Sequence, residues 1–120
     1  MKGLVCPINI RITNQDISSI IDKAMNTGGG SLHWCYGAEP KYNKGIPINE
    51  VIANGGTLLL QGIDGATHEL TRDKLIIGLQ QALPYLDNVI NGINLDGTLI
   101  DGIGADLIVQ LALFNELIYD

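Results

Sequence analysis

Residues 57–71, with the sequence TLLLQGIDGATHELT, decide the fold that we predict for this chain. Two short runs that can form strands, 57–60 with three leucines and 67–70 with Thr, His, Glu and Leu, lie on either side of Asp64-Gly65. An Asp-Gly pair between such runs is a strong signal for a β-hairpin, because glycine takes positive φ without steric cost. Thr71 then offers a side-chain oxygen that can cap a following helix. The stretch therefore predicts an antiparallel hairpin that leads directly into a helix.

The chain after the hairpin alternates between helical and irregular patterns. Leu75, Ile76, Leu79 and Leu83 form one stripe at helical spacing, and Pro84 is expected to end or kink that helix. Residues 87–104 are rich in Asn, Asp and Gly, which predicts a loop or irregular structure. A last helix is predicted over about 105–117. It is apolar on more than one side, which fits either a core helix or a subunit interface.

The chain before the hairpin predicts two more strands, a helix and a second, short helix. Residues 8–12 alternate isoleucine with polar residues, which is typical of a strand with one buried face, and Pro7 suggests its start or an edge. Thr13 is a candidate cap for a helix over 14–25, which the glycines at 28–30 would end. Residues 31–36 predict a second strand. A short helix beginning near Pro47 would end at Gly55-Gly56, although paired glycines can also expose N–H groups to a phosphate.

These elements predict an α+β fold with a small antiparallel sheet of three or four strands and about three helices. With 120 residues, the chain is expected to form a single domain over 1–120. The apolar last helix favours a homo-oligomer, a dimer or a tetramer.

Composition and charge exclude several classes of protein. Hydrophobic residues make up 46% of the chain and charged residues 17%, which excludes intrinsic disorder. A net charge of −6 argues against binding to duplex nucleic acid or to an anionic membrane surface. Two cysteines are too few for a disulfide framework. We expect neither a signal peptide nor a membrane span, and therefore a cytoplasmic protein.

The sequence offers little support for catalysis or metal binding. On the predicted second strand His33 and Cys35 point the same way, as in a metal site or a thiolate–imidazole pair. No CxxC or HxxxH spacing supplies further ligands, and no paired carboxylates or serine–histidine arrangement is evident. We therefore expect no catalytic residues, no metal ion and no cofactor.

A few aromatic and basic residues are candidates for binding a small anionic ligand. On the predicted strand 31–36, Trp34 and Tyr36 share one face, where they either pack in the core or stack on a planar ligand such as a nucleobase. The two arginines are either solvated or paired with acids, or each forms a two-pronged contact with a phosphate or a base edge. The following loop adds lysines and Tyr42. The candidate ligand-binding residues are Trp34, Tyr36, Arg11, Arg72, Lys41 and Lys44.

The order of short motifs along the chain carries a resemblance to a known group of proteins. The motifs are Ile10-Arg11-Ile12-Thr13 with Asp16-Ile17, His33-Trp34-Cys35 with Ala38-Glu39, Asn54-Gly55-Gly56-Thr57-Leu58, Glu69-Leu70-Thr71, and Ala105-Asp106-Leu107-Ile108-Val109-Gln110 with Ala112-Leu113-Phe114. In this order they resemble small proteins of phages and phage-rich bacterial genomes. The pattern looks like the anti-CBASS sponges, which bind a cyclic nucleotide signal of bacterial defence and hold it away from its effector.

The resemblance implies a non-catalytic oligomer with ligand pockets at or near subunit interfaces. Our leading hypothesis is thus a cytoplasmic protein that sequesters a cyclic dinucleotide or a related nucleotide. The alternative is a protein–protein inhibitor or regulator of a host factor that uses the apolar last helix or the acidic surface. A third hypothesis is a small hydrolase that acts on the same nucleotides through Cys35 and His33.

Overall fold

A computed structural model describes residues 3–25 and 32–119 of the chain. The predicted hairpin is present in it, with residues 58–61 paired antiparallel to residues 67–70. The described residues form four α-helices: α1 (Asn14–Ala24), α2 (Ile48–Val51), α3 (Arg72–Ala82) and α4 (Gly102–Phe114). They also form five strands: β1 (Cys35–Pro40), β2 (Leu58–Gly62), β3 (Thr67–Leu70), β4 (Ile90–Asn91) and β5 (Asn94–Leu95). The predicted α+β class is confirmed, because β1, β2 and β3 form an antiparallel sheet in that order and β4 pairs with β5.

Both predicted caps open helices where the sequence places them. The Thr13 hydroxyl accepts a hydrogen bond from the Asp16 N–H, and the Asp16 carboxylate accepts one from the Thr13 N–H, which completes a capping box. The Thr71 hydroxyl accepts from the Lys74 N–H at the start of α3. The glycines at 28–30, predicted to end the first helix, lie outside the described residues; α1 itself ends at Ala24.

The first predicted strand, over 8–12, is not present. Among the described residues, 3–10 have no strand partner, and only Arg11 forms an isolated parallel bridge, to Asn94. Its N–H donates to the Ile93 oxygen at 2.7 Å, and its oxygen accepts from the Leu95 N–H at 2.9 Å. A strand requires a partner for its backbone groups, and the alternating side chains alone do not supply one.

The second predicted strand begins later than expected. Residues 32–34 form a turn, and β1 starts at Cys35 and continues to Pro40. Cys35 is opposite Gly62 and Gly37 is opposite Gln61, so Tyr36 is the extra residue of a β-bulge. Trp34 lies in the turn before β1 and Tyr36 is the bulged residue, so the two do not share a face of a strand as predicted.

The predicted irregular stretch and the predicted last helix both differ from what the structure shows. Residues 87–104 contain the short β4–β5 hairpin, with Gly92 at a φ of 65° in its turn. α4 begins at Gly102, because the Asp101 side chain accepts a hydrogen bond from the Gly104 N–H and caps the helix. It ends at Phe114, with Asn115 in the left-handed region.

The core lies between the sheet and the long helices. Leu58, Leu60 and Leu70 turn one face of the sheet inward against α4 and its neighbours. α3 and α4 approach so closely that a Cβ at Gly78 would stand 2.7 Å from the backbone nitrogen of Ala112. Ile108 and Val109 are fully buried, so the central part of α4 belongs to the core of its own chain.

Candidate functional site

Three of the predicted ligand-binding residues gather at one end of the three-stranded sheet, which we call the basic end. Pro40 pairs with Leu58, and Leu58 pairs with Leu70, so β1 and β3, on either side of β2, end level with each other. Lys41 follows β1 directly, and Arg72 follows β3 after Thr71. Lys44 lies in the loop after β1 and reaches back to Glu39. The basic end therefore draws its cations from two separate segments of the chain: Lys41, Lys44, Arg72 and also Lys74.

Lys41 is held in place by backbone and side-chain contacts. Its N–H donates to the Thr57 oxygen at 2.9 Å, which continues the pairing of β1 with β2. Its Nζ donates to Oε1 of Glu69 at 2.9 Å and lies 5.4 Å from the centre of the Tyr42 ring. The hydrogen bond to Glu69 raises the pKa of Lys41 above its ordinary value, and the same bond lowers the pKa of Glu69. Lys41 is thus a cation at neutral pH, positioned beside the largely exposed ring of Tyr42.

The other lysines of the basic end also contact oxygen atoms. Lys44 Nζ lies 3.2 Å from Oε2 of Glu39, and both side chains are exposed. Lys74 Nζ donates to the backbone oxygen of Glu69 at 2.9 Å. Since exposed ion pairs in water are weak, an incoming phosphate can compete with these carboxylates for the lysines.

Arg72 extends from the start of α3 toward the end of α2. Its Nη1 donates to the Ala53 oxygen at 3.3 Å, and a Cβ at Gly55 would stand 3.9 Å from its Nη2. Gly55 has a φ of 85°, which a side chain would strain. The guanidinium therefore lies over the glycine turn and keeps further N–H donors for a ligand.

The paired glycines end α2 and do not present their N–H groups to a phosphate. The Gly55 N–H donates to the Ile52 oxygen and the Gly56 N–H to the Val51 oxygen, each at 2.9 Å. Of the two functions that the sequence left open for Gly55-Gly56, the helix end is the one observed. A phosphate at the basic end would be bound by side chains rather than by this turn.

A small cavity of about 110 Å³ opens beside the basic end. It is lined in part by Tyr42, Asn54, Gly56 and Thr57. Pockets that enclose a whole small-molecule ligand usually measure about 300–1,000 Å³. The cavity of one chain can therefore hold a ring or a phosphate group, but not a complete dinucleotide.

The remaining predicted ligand-binding residues lie elsewhere. Trp34 is 0% exposed, and its ring stacks on the ring of Tyr119, with ring centres 5.5 Å apart. In this structure Trp34 is therefore a core residue, and its ring contacts Tyr119 rather than a ligand. Tyr36 is 71% exposed at the bulge, at the opposite end of β1 from Lys41. Arg11 is exposed beside β5. The structure thus does not bring Trp34, Tyr36 or Arg11 to the basic end.

His33 and Cys35 do not form the pair that the predicted strand would give. His33 lies in the turn before β1, whereas Cys35 is the first residue of the strand. Burial raises the pKa of the Cys35 thiol, and its Sγ donates to the Gly37 oxygen at 3.2 Å. A thiol in this state is a poor nucleophile at neutral pH. Within residues 3–25 and 32–119, His, Cys, Asp and Glu form no group of three or more that could hold a metal ion.

Sequence reasoning missed two features that the fold creates. Lys74 belongs to the basic end because α3, capped by Thr71, starts there. The sequence signal for it was the segment Thr71-Arg72-Asp73-Lys74, which directly follows the predicted hairpin and places Lys74 in the same first turn as Arg72. An apolar groove of about 580 Å³ lies between residues 8–12 and α3. Its wall includes Ile76 and Leu83, which the stripe pattern predicts as core residues but which are only half-buried.

Comparison of the chain with protein-family models, with curated proteins and with solved structures finds no match. None of the helices in the described ranges is long and apolar enough to cross a membrane.

Proposed function

We propose that this chain is a non-catalytic protein that binds a cyclic nucleotide at the basic end and thereby sequesters it. The observation that supports the proposal is the convergence of Lys41, Lys44 and Arg72, three residues selected from sequence as phosphate contacts, at one end of the sheet. The resemblance to anti-CBASS sponges adds a biological setting, the cytoplasm of an infected bacterial cell.

The side chains at the basic end match the chemistry of a cyclic nucleotide. A guanidinium binds phosphate oxygens through two parallel N–H donors, and lysines add mobile point charges. Tyr42 offers an exposed aromatic face beside Lys41, on which a base can stack. Neither contact requires a reacting group, so binding without turnover is the expected outcome.

The size of the cavity favours a site that is shared between copies of the chain. In the proposed complex the cavity of about 110 Å³ holds part of a cyclic dinucleotide. Arg72 and the lysines do not line this cavity, so the rest of the ligand extends over them toward solvent. A second subunit placed there would cover that part. This agrees with the resemblance, which implies ligand pockets at or near subunit interfaces.

A thermal-shift screen against cyclic di- and trinucleotides, cyclic ADP-ribose isomers and their linear counterparts tests the proposal. A ligand at 100 times its dissociation constant adds about 2.7 kcal/mol of stability, which shifts Tm by several degrees in a chain of this size. We expect such a shift with a cyclic nucleotide that is recovered unchanged after the protein is denatured. Recovery of a cleaved product would instead support the hydrolase hypothesis.

A protein–protein regulator is the second candidate function, and a specific surface favours it. The central residues of the last helix are buried in the core, so the apolar surface that this helix offers a partner lies at its first turn. Tyr85, Leu99 and Ile103 are exposed around a depression of about 240 Å³ near the start of α4. Two results together would support this function: no thermal shift with any nucleotide in the screen, and a host protein that binds wild type but not Ile103→Asp.

A further inference from the structure

The fold leaves one apolar segment of the described residues uncovered. Residues 3–9, which we call the N-terminal arm, are exposed, and among the described residues they pair with no strand. Leu4 is 102% exposed, Val5 91% and Ile8 66%. Single apolar side chains on a surface are common, but several in one short extended segment are typical of an interaction site.

The apolar groove lies at the base of this arm and has a matching character. Its volume is about 580 Å³, and of the described residues that line it only Asn9 and Gln80 are polar. The apolar lining comes from both sides of the groove and includes Ile10, Ile12, Ile76, Leu79 and Leu83. Because no charged side chain is among these lining residues, the groove suits an uncharged, apolar segment rather than an anionic ligand.

We infer that the groove receives the N-terminal arm of a second copy of the chain, and that the two copies exchange arms reciprocally. Residues 3–10 contain no charged side chain, whereas the whole chain carries a net charge of −6. Two copies carry the same net charge, and the uncharged arm and groove let them meet without bringing like charges together. Reciprocal exchange gives a closed two-fold dimer rather than an open chain of subunits.

The part of the arm before Pro7 does not line the groove of its own chain, whereas Ile8 and Asn9 do. Residues 8–12 already form one wall of that groove, so the arm would have to reverse direction at Pro7 to enter it. Proline fixes its own φ and favours an extended backbone at the residue before it, here Cys6. The molecule measures 47 × 27 × 24 Å, so its longest dimension exceeds the next by 47 − 27 = 20 Å. Seven extended residues span roughly 23 Å, which is enough to account for this difference.

A strand edge beside the groove gives the incoming arm a backbone partner. Ile90 of β4 lines the groove, and β4 is paired with β5 on one side only within the described sheet. An extended segment that lies along this edge can add its N–H and C=O groups to the hairpin as a further strand.

The first test is the solution mass of the full-length protein and of two variants. By light scattering without nucleotide, wild type is expected at no less than twice the chain mass of 12.9 kDa. Leu4→Asp should raise the dissociation constant of the dimer about a hundredfold, because it places a charge in an apolar groove. Ile103→Asp, at the other exposed apolar surface, should leave the dimer intact. A monomeric wild type, or a dimer that only Ile103→Asp dissociates, would overturn the inference.

The second test distinguishes exchange between copies from folding back within one chain. Gln80→Cys places a thiol in the groove, where the native Cys6 of an incoming arm can reach it. Mild oxidation should give an interchain disulfide in Gln80→Cys, little in the neighbouring Gln81→Cys, and none when Cys6→Ser is added. An intrachain product would show that the arm covers its own groove, contrary to our inference. Neither test uses a nucleotide, so this inference and the proposed function can fail independently.

Discussion

The indole Nε1 of Trp34 donates a hydrogen bond to Oδ1 of Asp106, 2.8 Å away, and so joins the turn before β1 to α4. Gln110, which is fully buried, donates to the same oxygen at 3.0 Å. Its amide oxygen also accepts from the Tyr119 N–H at 2.8 Å, which holds the Tyr119 ring against Trp34. These bonds satisfy the polar atoms that a buried tryptophan and glutamine bring into the core.

We expect Asp106→Ala to destabilise the protein by about 1–3 kcal/mol, because it leaves the buried indole N–H without an acceptor. Asp106→Asn keeps an oxygen at this position and should cost less. Urea unfolding followed by the fluorescence of Trp34, the only tryptophan, measures both variants. Equal stability of wild type and Asp106→Ala would mean that this hydrogen bond does not stabilise the fold.

The crossing of α3 and α4 depends on the absence of a side chain at Gly78. A Cβ there would overlap the Ile108 carbonyl oxygen and stand 2.7 Å from the Ala112 nitrogen. In an open helix, glycine to alanine stabilises by about 1 kcal/mol, but overpacking a core costs about 1–3 kcal/mol or more. Gly78→Ala should therefore lower Tm.

The matched control for this prediction is Gly104→Ala in α4. A Cβ at Gly104 would meet only side-chain atoms, of which the nearest is 3.1 Å away. Since side chains can adjust more readily than backbone, we expect a smaller loss of stability than in Gly78→Ala. A rise in Tm for Gly78→Ala would contradict the close approach of the two helices.

The stability of the protein at acid pH should depend on Asp16. Burial alone would raise its pKa, but hydrogen bonds from the Gly97 N–H, the Thr13 N–H and the Thr13 hydroxyl outweigh burial and hold the pKa below its ordinary value of 3.8. Folding therefore favours the charged carboxylate of Asp16, and the resulting contribution to the free energy of unfolding is fully present above the unfolded-state pKa. It is lost as the pH falls through the lower, folded-state pKa.

Urea unfolding of wild type and Asp16→Asn between about pH 6 and pH 2 checks this prediction. The free energy of unfolding should fall more steeply for wild type, so the two curves should converge at low pH. The other carboxylates with lowered pKa values, Asp64 and Glu69, are present in both proteins and cancel in the comparison. Parallel curves would show that Asp16 does not contribute in this way.

Local signals in the sequence predict most of the fold. Asp64-Gly65, Thr13 and Thr71 act through neighbouring residues, and the hairpin and both helix starts are where these signals place them. The predicted strand over 8–12 does not form, because the alternation of apolar and polar side chains specifies a buried face but not a partner strand. Tyr36 leaves the predicted face because a bulge changes the register, which depends on the pairing of β1 with β2.

The candidate site is less predictable, because it depends on which segments meet. Lys41 and Arg72 lie 31 positions apart in the chain, and only the register of the sheet brings their strand ends together. The sequence left Trp34 open between core and ligand stacking, and the acceptor at Asp106 is 72 residues away. Long-range contacts of this kind decide the role of a residue that its neighbours in sequence leave open.

Glu69 should limit the affinity of the basic end for anions. It pairs with Lys41 and adds a negative charge where the proposed ligand carries phosphate. Glu69→Gln should therefore tighten the binding of a cyclic nucleotide by about threefold to tenfold at low salt, and less at high salt. Glu116→Gln, which changes the net charge equally beyond the end of α4, should have little effect. Equal tightening in both variants would indicate a general effect of net charge rather than a site beside Lys41.

Titration calorimetry of wild type, Arg72→Ala and Arg11→Ala with the cyclic nucleotide that gives the largest thermal shift tests the central claim most directly. The two arginines are the only ones in the chain, and the structure places Arg72 at the basic end and Arg11 beside β5. We predict that Arg72→Ala weakens binding about tenfold or more, while Arg11→Ala binds like wild type. No heat of binding by wild type at about 100 μM nucleotide, or equal affinity of all three proteins, would contradict a cyclic nucleotide site at the basic end.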